Sequence, residues 1–267
     1  MEIVLTNDDG WGTKGILTLA LEMSKIGHVT VVAPDSARSG HGACLSVAKE
    51  LRLHKVRKEE IAMAFAGLFE EMGIAEAQQH EVLGKVEAYT SNGTPADSVK
   101  LALEILFAGK TVDLLVSGVN HGNNCSVNLV YSGTMGACFV GTEHRVPAIG
   151  FSLDDHSMDA DFRSMAKYIV PITEMLLKRG FNRSECINVN APVGEIQGLK
   201  WTRQCAGHWE KEFIIHTDET GEPFYTMTGQ YVNEEPTAED TDIWAVEHGY
   251  ISIRAVSIDM TSPRGAE

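Results

Sequence analysis

Five short apolar runs, separated by longer segments with helical spacing, constrain this chain more than any other feature of its sequence. The runs are EIVLT at 2–6, HVTVVAP at 28–34, VDLLVSG at 112–118, PAIGFSL at 147–153 and CINVNAP at 186–192. Their apolar residues are continuous, as is typical of strands buried on both faces. They alternate with helical patterns near 14–26, 95–108, 134–144 and 159–179. The sequence therefore predicts an α/β protein with a Rossmann-like, mostly parallel sheet flanked by helices.

One segment interrupts the alternation. Residues 57–83 carry charges together with apolar residues at helical spacing, and Gly73 breaks the pattern, so we interpret them as an inserted helical pair. The apolar face of this pair must be buried somewhere. We expect it to cover the active-site rim and restrict access to it, or to contact another subunit.

The alternation stops after residue 195. The following sequence predicts strands joined by a turn at 218–223 and a returning strand, GYISIRAVSI, at 249–258. We therefore divide the chain into an α/β core at 1–195 and a β-rich C-terminal extension at 196–267, for which we expect a role in oligomerisation.

The composition excludes several classes of partner. A formal net charge of −15 at pH 7 argues against broad electrostatic attachment to duplex nucleic acid or to an anionic membrane. No apolar run has the length of a bilayer span and Met1 leads directly into EIVLT, so we expect a cytoplasmic protein. The five cysteines lack C-x-x-C spacing, which argues against a structural zinc site and a disulfide framework.

Polar side chains follow three of the predicted strands. Asp8 and Asp9 come directly after the first, Ser39 lies in a loop after the second, and Asn120 and Asn124 follow the third. Ligands of parallel sheets bind outside the carboxyl ends of the strands, and Mg²⁺ and Mn²⁺ prefer such oxygen ligands. These residues predict a divalent-metal site. The simpler interpretation is a turn and a helix cap at Asn-Asp-Asp-Gly.

The stretch YSGTMGA at 131–137 predicts a complementary anion site. Ser132, Gly133 and Thr134 precede a helix whose first turn exposes unpaired N–H groups, although such a start can be only a cap. Two better-known phosphate motifs are missing: GWGTKG lacks P-loop spacing, and Leu45 replaces the third glycine of a dinucleotide fingerprint. A P-loop NTPase and an ordinary dehydrogenase are therefore disfavoured.

Six motifs occur in an order that points to one family. They are TNDDG at 6–10, APDSARSGHG at 33–42, GTPADSVKLAL at 93–103, SGVNHGNN at 117–124, YSGTMGA at 131–137 and DIWAVEHGYISI at 242–253. This order resembles the SurE (survival protein E) family of metal-dependent 5′/3′-nucleotidases. The resemblance implies a Rossmann-like enzyme that removes phosphate from nucleoside 5′- and 3′-monophosphates, often with activity on short polyphosphate. It also implies a homodimer or homotetramer formed through C-terminal extensions.

The resemblance also implies roles for individual residues. The family's metal ligands fall on Asp8, Asp9, Ser39 and Asn120, and its phosphate-binding positions fall on Asn124, Ser132, Gly133 and Thr134. We therefore expect one Mg²⁺ or Mn²⁺ per subunit that binds the phosphoryl oxygens and activates water. The catalytic residues would be Asp8, Asp9, Asn124 and Ser132.

Several alternatives stay open at this point. Asp8 or Asp9 could accept the proton of the attacking water, and a phosphoenzyme formed on Ser39 or Asp8 is a second route. The alternative function is a non-catalytic nucleotide-binding or sensing protein on the same fold.

Other polar and aromatic residues receive simpler interpretations. We interpret His121 as a loop-surface residue, Trp209 as a packing residue of the extension, and PTAEDTD at 236–242 as a solvated helix cap. The chain departs from the family pattern at Ser126 and Val127, where the family usually has a Gly-Asp pair.

Overall fold

The computed structural model describes residues 1–157 and 159–261, which form thirteen strands and eight helices. The strands are β1 (Glu2–Thr6), β2 (His28–Pro34), β3 (Leu53–Lys55), β4 (Val86–Ser91), β5 (Leu114–His121), β6 (Ala148–Leu153), β7 (Glu185–Ala191), β8 (Gly198–Trp201), β9 (Gly207–Glu210), β10 (Phe213–Thr217), β11 (Pro223–Met227), β12 (Gln230–Asn233) and β13 (Tyr250–Ser257). The helices are α1 (Lys14–Met23), α2 (Lys58–Met72), α3 (Glu76–Lys85), α4 (Pro95–Leu101), α5 (Asn128–Tyr131), α6 (Gly133–Glu143), α7 (Arg163–Arg179) and α8 (Asp242–Glu247). A short π-helical turn, Ala102–Leu106, continues α4.

The central sheet has the strand order β3-β4-β2-β1-β5-β6-β7-β13-β8. Its six strands from β4 to β7 are mutually parallel, whereas β3 and β13 run antiparallel to β4 and β7. From β1 the chain first builds outward through β2 and β4, and then returns to the other side of β1 with β5. The point between β1 and β5 is thus the topological switch point, where a crevice forms at the carboxyl ends of the strands.

Helices cover both faces of the sheet, as the predicted fold class requires. On one face α1, α2 and α7 bury side chains such as Ile16, Phe65 and Ile169, and on the other α4 and α6 bury Val99 and Met135. The apolar runs form central strands because both of their faces are covered, and every residue of β6 is buried. The predicted α/β fold with a Rossmann-like sheet is confirmed.

Helices α2 and α3 occupy the segment predicted as a helical pair. Ile61, Phe65, Leu68 and Phe69 of α2 lie in the core that α1 and α7 share. The apolar face is therefore buried within its own subunit, against the flank of the sheet.

The C-terminal extension has two parts. Strands β8 and β13 add to the edge of the central sheet, where β13 pairs with β7 and β8 pairs in parallel with β13. The remaining strands form two small antiparallel pairs, β9 with β12 and β10 with β11. The β-rich extension and the returning strand are as predicted. Within the described residues, no helix is long and apolar enough to cross a membrane.

Candidate active site

The predicted site residues meet at the switch point of the sheet. Asp8 and Asp9 follow β1, and Asn120 and His121 end the adjacent strand β5. A cavity of about 400 Å³ opens here. It is lined by Asp8, Asp9, Ser39, Gly40, Asn120, His121, Gly122, Asn123, Asn124, Asn128, Tyr131, Ser132, His156 and Trp209. The carboxyl ends of neighbouring strands thus bring residues from distant parts of the sequence to one cavity.

Asp8 is a nearly buried carboxylate with an unusual protonation equilibrium. Asp8 is 4% exposed, and its Oδ1 accepts a hydrogen bond from Thr134 Oγ1 over 2.8 Å. Burial, together with the neighbouring Asp9 carboxylate, raises the pKa of Asp8 to about 6. Two adjacent carboxylates with little access to solvent favour the binding of a cation. The positive charge offsets both the cost of desolvating the carboxylates and the repulsion between them.

The first turn of α6 lies directly against Asp8. A Cβ atom added at Gly133 would be 2.7 Å from the Cβ of Asp8 and 3.0 Å from its Oδ2. Only a glycine permits this approach, so the predicted phosphate-binding helix start and the predicted metal carboxylate are in contact. Gly133 and Thr134 therefore both lie against Asp8.

The side chains at the start of α6 have distinct placements. Ser132 caps the helix, since its Oγ accepts a hydrogen bond from the N–H of Met135 over 3.1 Å, and it also lines the cavity. Thr134 is fully buried and its hydroxyl is directed to Asp8. Of the predicted phosphate-binding set, Ser132 and Asn124 line the cavity, whereas Gly133 and Thr134 lie behind it against Asp8.

Asp9 makes its side-chain contact with a histidine. Nδ1 of His121 lies 2.9 Å from Oδ2 of Asp9, and the imidazole is only 5% exposed. Its ring packs edge-on against Phe162, with the ring centroids 5.1 Å apart. The prediction of a loop-surface histidine is therefore wrong: glycine-flanked His121 ends a central strand, which directs its side chain into the site.

The remaining predicted metal ligands supply neutral oxygens. Asn120 donates hydrogen bonds from Nδ2 to the carbonyl groups of His121 and Gly122, at 3.1 and 2.7 Å. Its Oδ1 takes no part in these two bonds. Ser39 is exposed at the cavity wall. Among the described residues, no group of three or more His, Cys, Asp or Glu side chains could hold a metal. The predicted donor set is instead two carboxylates with hydroxyl and amide oxygens, a combination that would fit Mg²⁺ or Mn²⁺ better than Zn²⁺.

Asn124 is fixed by a buried polar network. Its backbone N–H donates to Oδ1 of Asn190 over 2.7 Å, and its carbonyl accepts from Asn188 over 2.8 Å. Its own Nδ2 donates to Ser152 Oγ over 2.8 Å. Ser152, Asn188 and Asn190 belong to the central strands β6 and β7, so the sheet itself positions Asn124. These three polar residues occur within otherwise apolar strand sequences. That pattern in the sequence could have predicted a buried polar network.

The C-terminal extension holds the loop that carries Asn124. Ser126 has a φ of 49°, a conformation that favours glycine, and its N–H donates to Oδ2 of Asp242 over 2.9 Å. Its hydroxyl donates to the Cys205 carbonyl and accepts from Tyr231, at 2.8 and 2.7 Å. Ser126 thus occupies a position suited to the family's glycine, and its side-chain hydrogen bonds compensate for the conformation.

Asp242 is a buried anchor, so the prediction of a solvated cap at 236–242 is wrong for this residue, although the same stretch does cap α8. Its carboxylate is fully buried and pairs with Arg254 over 2.6 Å, while the cap of α8 is Thr241. The acidic composition of the surrounding stretch concealed this role, because only the tertiary fold brings Arg254 of β13 to Asp242.

Two aspects of the cavity wall differ from expectation. Trp209 lines the cavity and donates from Nε1 to Oδ1 of Asn128 over 2.9 Å, so it is part of the site as well as of the packing. The inserted segment 57–83, in contrast, contributes none of the described residues that line the cavity. The prediction that this segment covers the active-site rim is wrong.

Comparisons with known proteins identify the family of this chain. Residues 3–211 match the family model described as Survival protein SurE. A protein named 5′-nucleotidase SurE from Christiangramia forsetii is 40% identical over 263 residues, which cover 97% of this chain and 92% of the relative. A protein of the same name from Porphyromonas gingivalis is 34% identical and covers 99% of this chain and 93% of the relative.

A solved structure gives the same result. The crystal structure of the SurE protein from Aquifex aeolicus superposes with a TM-score of 0.78 at 30% identity, covering 99% of this chain and 96% of that one. The order of the motifs, the fold and these matches agree. This chain therefore belongs to the survival protein SurE family.

Proposed function

We propose that this chain removes phosphate from nucleoside 5′- and 3′-monophosphates, and from short polyphosphate, with one Mg²⁺ or Mn²⁺ bound per subunit. The observation that carries the proposal is the contact between Asp8 and the start of α6 at Gly133 and Thr134. A carboxylate pair suits a divalent cation and a helix N-terminus suits an anion. A phosphoryl group at this contact would meet both.

Each predicted site residue has a role in this proposal. Asp8, Asp9, Ser39 and Asn120 would hold the divalent ion, which when bound supplies Lewis-acid activation of the phosphoryl group and of water. Ser132 and the N–H groups of the first turn of α6 would orient the phosphate and stabilise its developing charge. Asn124 would add its side-chain amide from the position that Ser152 fixes.

The nucleoside end of the substrate would extend toward the cavity mouth. Trp209 and Tyr131 line the cavity with aromatic residues, and an aromatic side chain can stack with any nucleobase. The name 5′-nucleotidase, which relatives at 34% to 40% identity carry, supports hydrolysis over a non-catalytic nucleotide sensor.

The hairpin of β10 and β11 supports a homodimer. In the described part of the chain these two strands pair only with each other, and an isolated two-stranded hairpin is marginally stable in water. It carries exposed apolar side chains: Phe213, Ile214, Ile215, Phe224, Tyr225 and Met227. Such a patch marks an interaction surface, and exchange of hairpins in a symmetric homodimer would cover it. Light scattering at micromolar concentration tests this, and a monomer would contradict it.

A substrate panel with controlled metal content tests the proposed activity. Protein freed of metal with EDTA is assayed for phosphate release from nucleoside 5′- and 3′-monophosphates, with added Mg²⁺, added Mn²⁺ or EDTA. We expect release with either metal, loss of release in EDTA and recovery on adding Mn²⁺. Nucleotide binding without phosphate release under every metal condition would support the sensor instead.

A further inference from the structure

His121 has a fixed place beside Asp9. Its imidazole is 5% exposed, its ring meets Phe162 edge-on, and its backbone belongs to the end of β5. Nδ1 lies 2.9 Å from Oδ2 of Asp9. A ring held by a central strand and by an aromatic neighbour cannot turn freely, so the bond to Asp9 has a defined direction.

The chemistry of the two partners assigns the proton of this bond. An ionised carboxylate only accepts hydrogen bonds. Nδ1 of His121 therefore carries a proton and donates a hydrogen bond to Oδ2 of Asp9. Nε2 is buried without a partner among the described residues. A neutral imidazole with its proton on Nδ1 leaves no N–H group unsatisfied, whereas a proton on Nε2 would be buried without an acceptor.

The hydrogen bond uses one oxygen of Asp9 and leaves the other. Within the described residues Oδ1 of Asp9 accepts no hydrogen bond, and Asp9 lines the cavity with Asp8 and Asn120. A carboxylate whose one oxygen accepts from a rigid donor presents the other oxygen in a fixed direction. A hydrogen bond to a metal-binding carboxylate orients the carboxylate in this way and tunes the affinity of the site for the metal.

We propose that His121 is a positioning residue that fixes Asp9 for the divalent cation through its Nδ1–H donor. This inference rests on the proposed metal-dependent function, because it names the residue that orients one of the proposed ligands. The role requires a donor at the position of Nδ1. It does not require an imidazole, and it does not involve proton transfer to the substrate.

A matched pair of variants separates the donor from the ring. His121→Asn places an amide N–H group near the position of Nδ1 but removes most of the ring, whereas His121→Phe keeps a ring against Phe162 and removes the donor. Binding of Mn²⁺ to each full-length protein is measured by the electron paramagnetic resonance signal of free Mn²⁺, without substrate. Circular dichroism verifies the fold of each variant.

The expected result is a loss of Mn²⁺ affinity of about 10- to 100-fold in His121→Phe, the range for partners that orient metal ligands, with near wild-type affinity in His121→Asn. Should His121→Phe fail to fold, His121→Gln replaces it, because its longer side chain carries the amide away from the Nδ1 position. Unchanged affinity in the variant without the donor would overturn the proposal, as would an equal loss in His121→Asn.

The same measurements, with a phosphate-release assay, distinguish failure of the role of His121 from failure of the proposed function. Wild-type protein that binds Mn²⁺ and hydrolyses nucleotides, beside a His121→Phe variant that binds equally well, contradicts only the role of His121. Wild-type protein that neither binds Mn²⁺ nor releases phosphate contradicts the proposed function itself.

Discussion

Thr134 donates a hydrogen bond from Oγ1 to Oδ1 of Asp8 over 2.8 Å, and this bond joins the first turn of α6 to the loop after β1. Gly133 lies against the same carboxylate. The helix start that would hold phosphate and the carboxylate that would hold metal are therefore in direct contact. A substitution that displaces one of them should also displace the other.

Replacing Thr134 with Val should impair the site without unfolding the protein. The side chain keeps its shape, but Asp8 loses a donor, and a hydrogen bond to a charged group contributes about 1.5–3 kcal/mol. Because this bond lowers the pKa of Asp8, its loss should raise that pKa further and weaken metal binding. We expect turnover at neutral pH to fall about 10- to 100-fold. Thr134→Ser retains the hydroxyl and serves as the control, and a Val variant as active as the Ser variant would contradict this role.

Replacing Gly133 with Ala should weaken both metal binding and phosphate binding. The new methyl group would meet Asp8 at 2.7 Å, a distance that forces the carboxylate or the helix start to move. Gly67 in the middle of α2 provides a matched control, because a Cβ there meets nothing within 4 Å. Isothermal titration with Mn²⁺ and with a phosphate analogue separates the two losses. If Gly133→Ala lost phosphate binding alone, metal and phosphate sites would be independent after all.

The sequence predicted the sheet, and it predicted that the candidate site residues would meet at one edge of it, because both depend on local signals. A strand such as β6, covered on both faces, must be apolar throughout, and the carboxyl ends of parallel strands must meet at one edge. Strand β4 was missed because the prediction relied on continuous apolar runs, whereas β4 has the exposed Glu87 between buried residues. It is recognised only through its pairing with β2.

The remaining errors concern partners that are distant in sequence. Whether His121 faces solvent or Asp9 depends on how β5 lies beside β1, and the burial of Asp242 depends on Arg254. The amphipathic pattern of α2 required a buried face but did not say where, and the structure places Phe65 against the sheet. Local patterns determine which residues must be buried, whereas tertiary packing determines what covers them.

The raised pKa of Asp8 predicts how stability depends on pH in the absence of metal. Its pKa is about 6 in the folded protein and near 3.8 when exposed, so the folded state binds more protons between these values. Stability from this group is fully present below pH 3.8 and is lost as pH rises through 6, by at most about 3 kcal/mol. Urea denaturation in EDTA should therefore show a stability difference between wild type and Asp8→Asn that changes over this window. A constant difference from pH 4 to pH 7 would contradict the raised pKa.

Replacing Asp242 with Asn should destabilise the fold strongly. Arg254 would keep its charge in a buried position without a counterion, and breaking a buried pair in this way costs about 3–5 kcal/mol. The loop at Ser126 would also lose part of its anchor. The exposed pair of Lys55 and Glu87 is the control, since Glu87→Gln should leave the denaturation midpoint nearly unchanged. Equal effects of the two substitutions would show that Asp242 is no anchor.

Metal-dependent phosphate release by Asp9→Asn tests the central claim most directly. This substitution removes one charge from the proposed metal site and nearly preserves its shape, while Asp159→Asn removes an exposed carboxylate as a control. The three proteins are assayed with adenosine 5′-monophosphate at a fixed, buffered Mn²⁺ concentration after their folds are verified. We predict that wild type and Asp159→Asn release phosphate at similar rates and that Asp9→Asn loses nearly all activity. A folded Asp9→Asn protein with near wild-type turnover would contradict metal-dependent hydrolysis at this site.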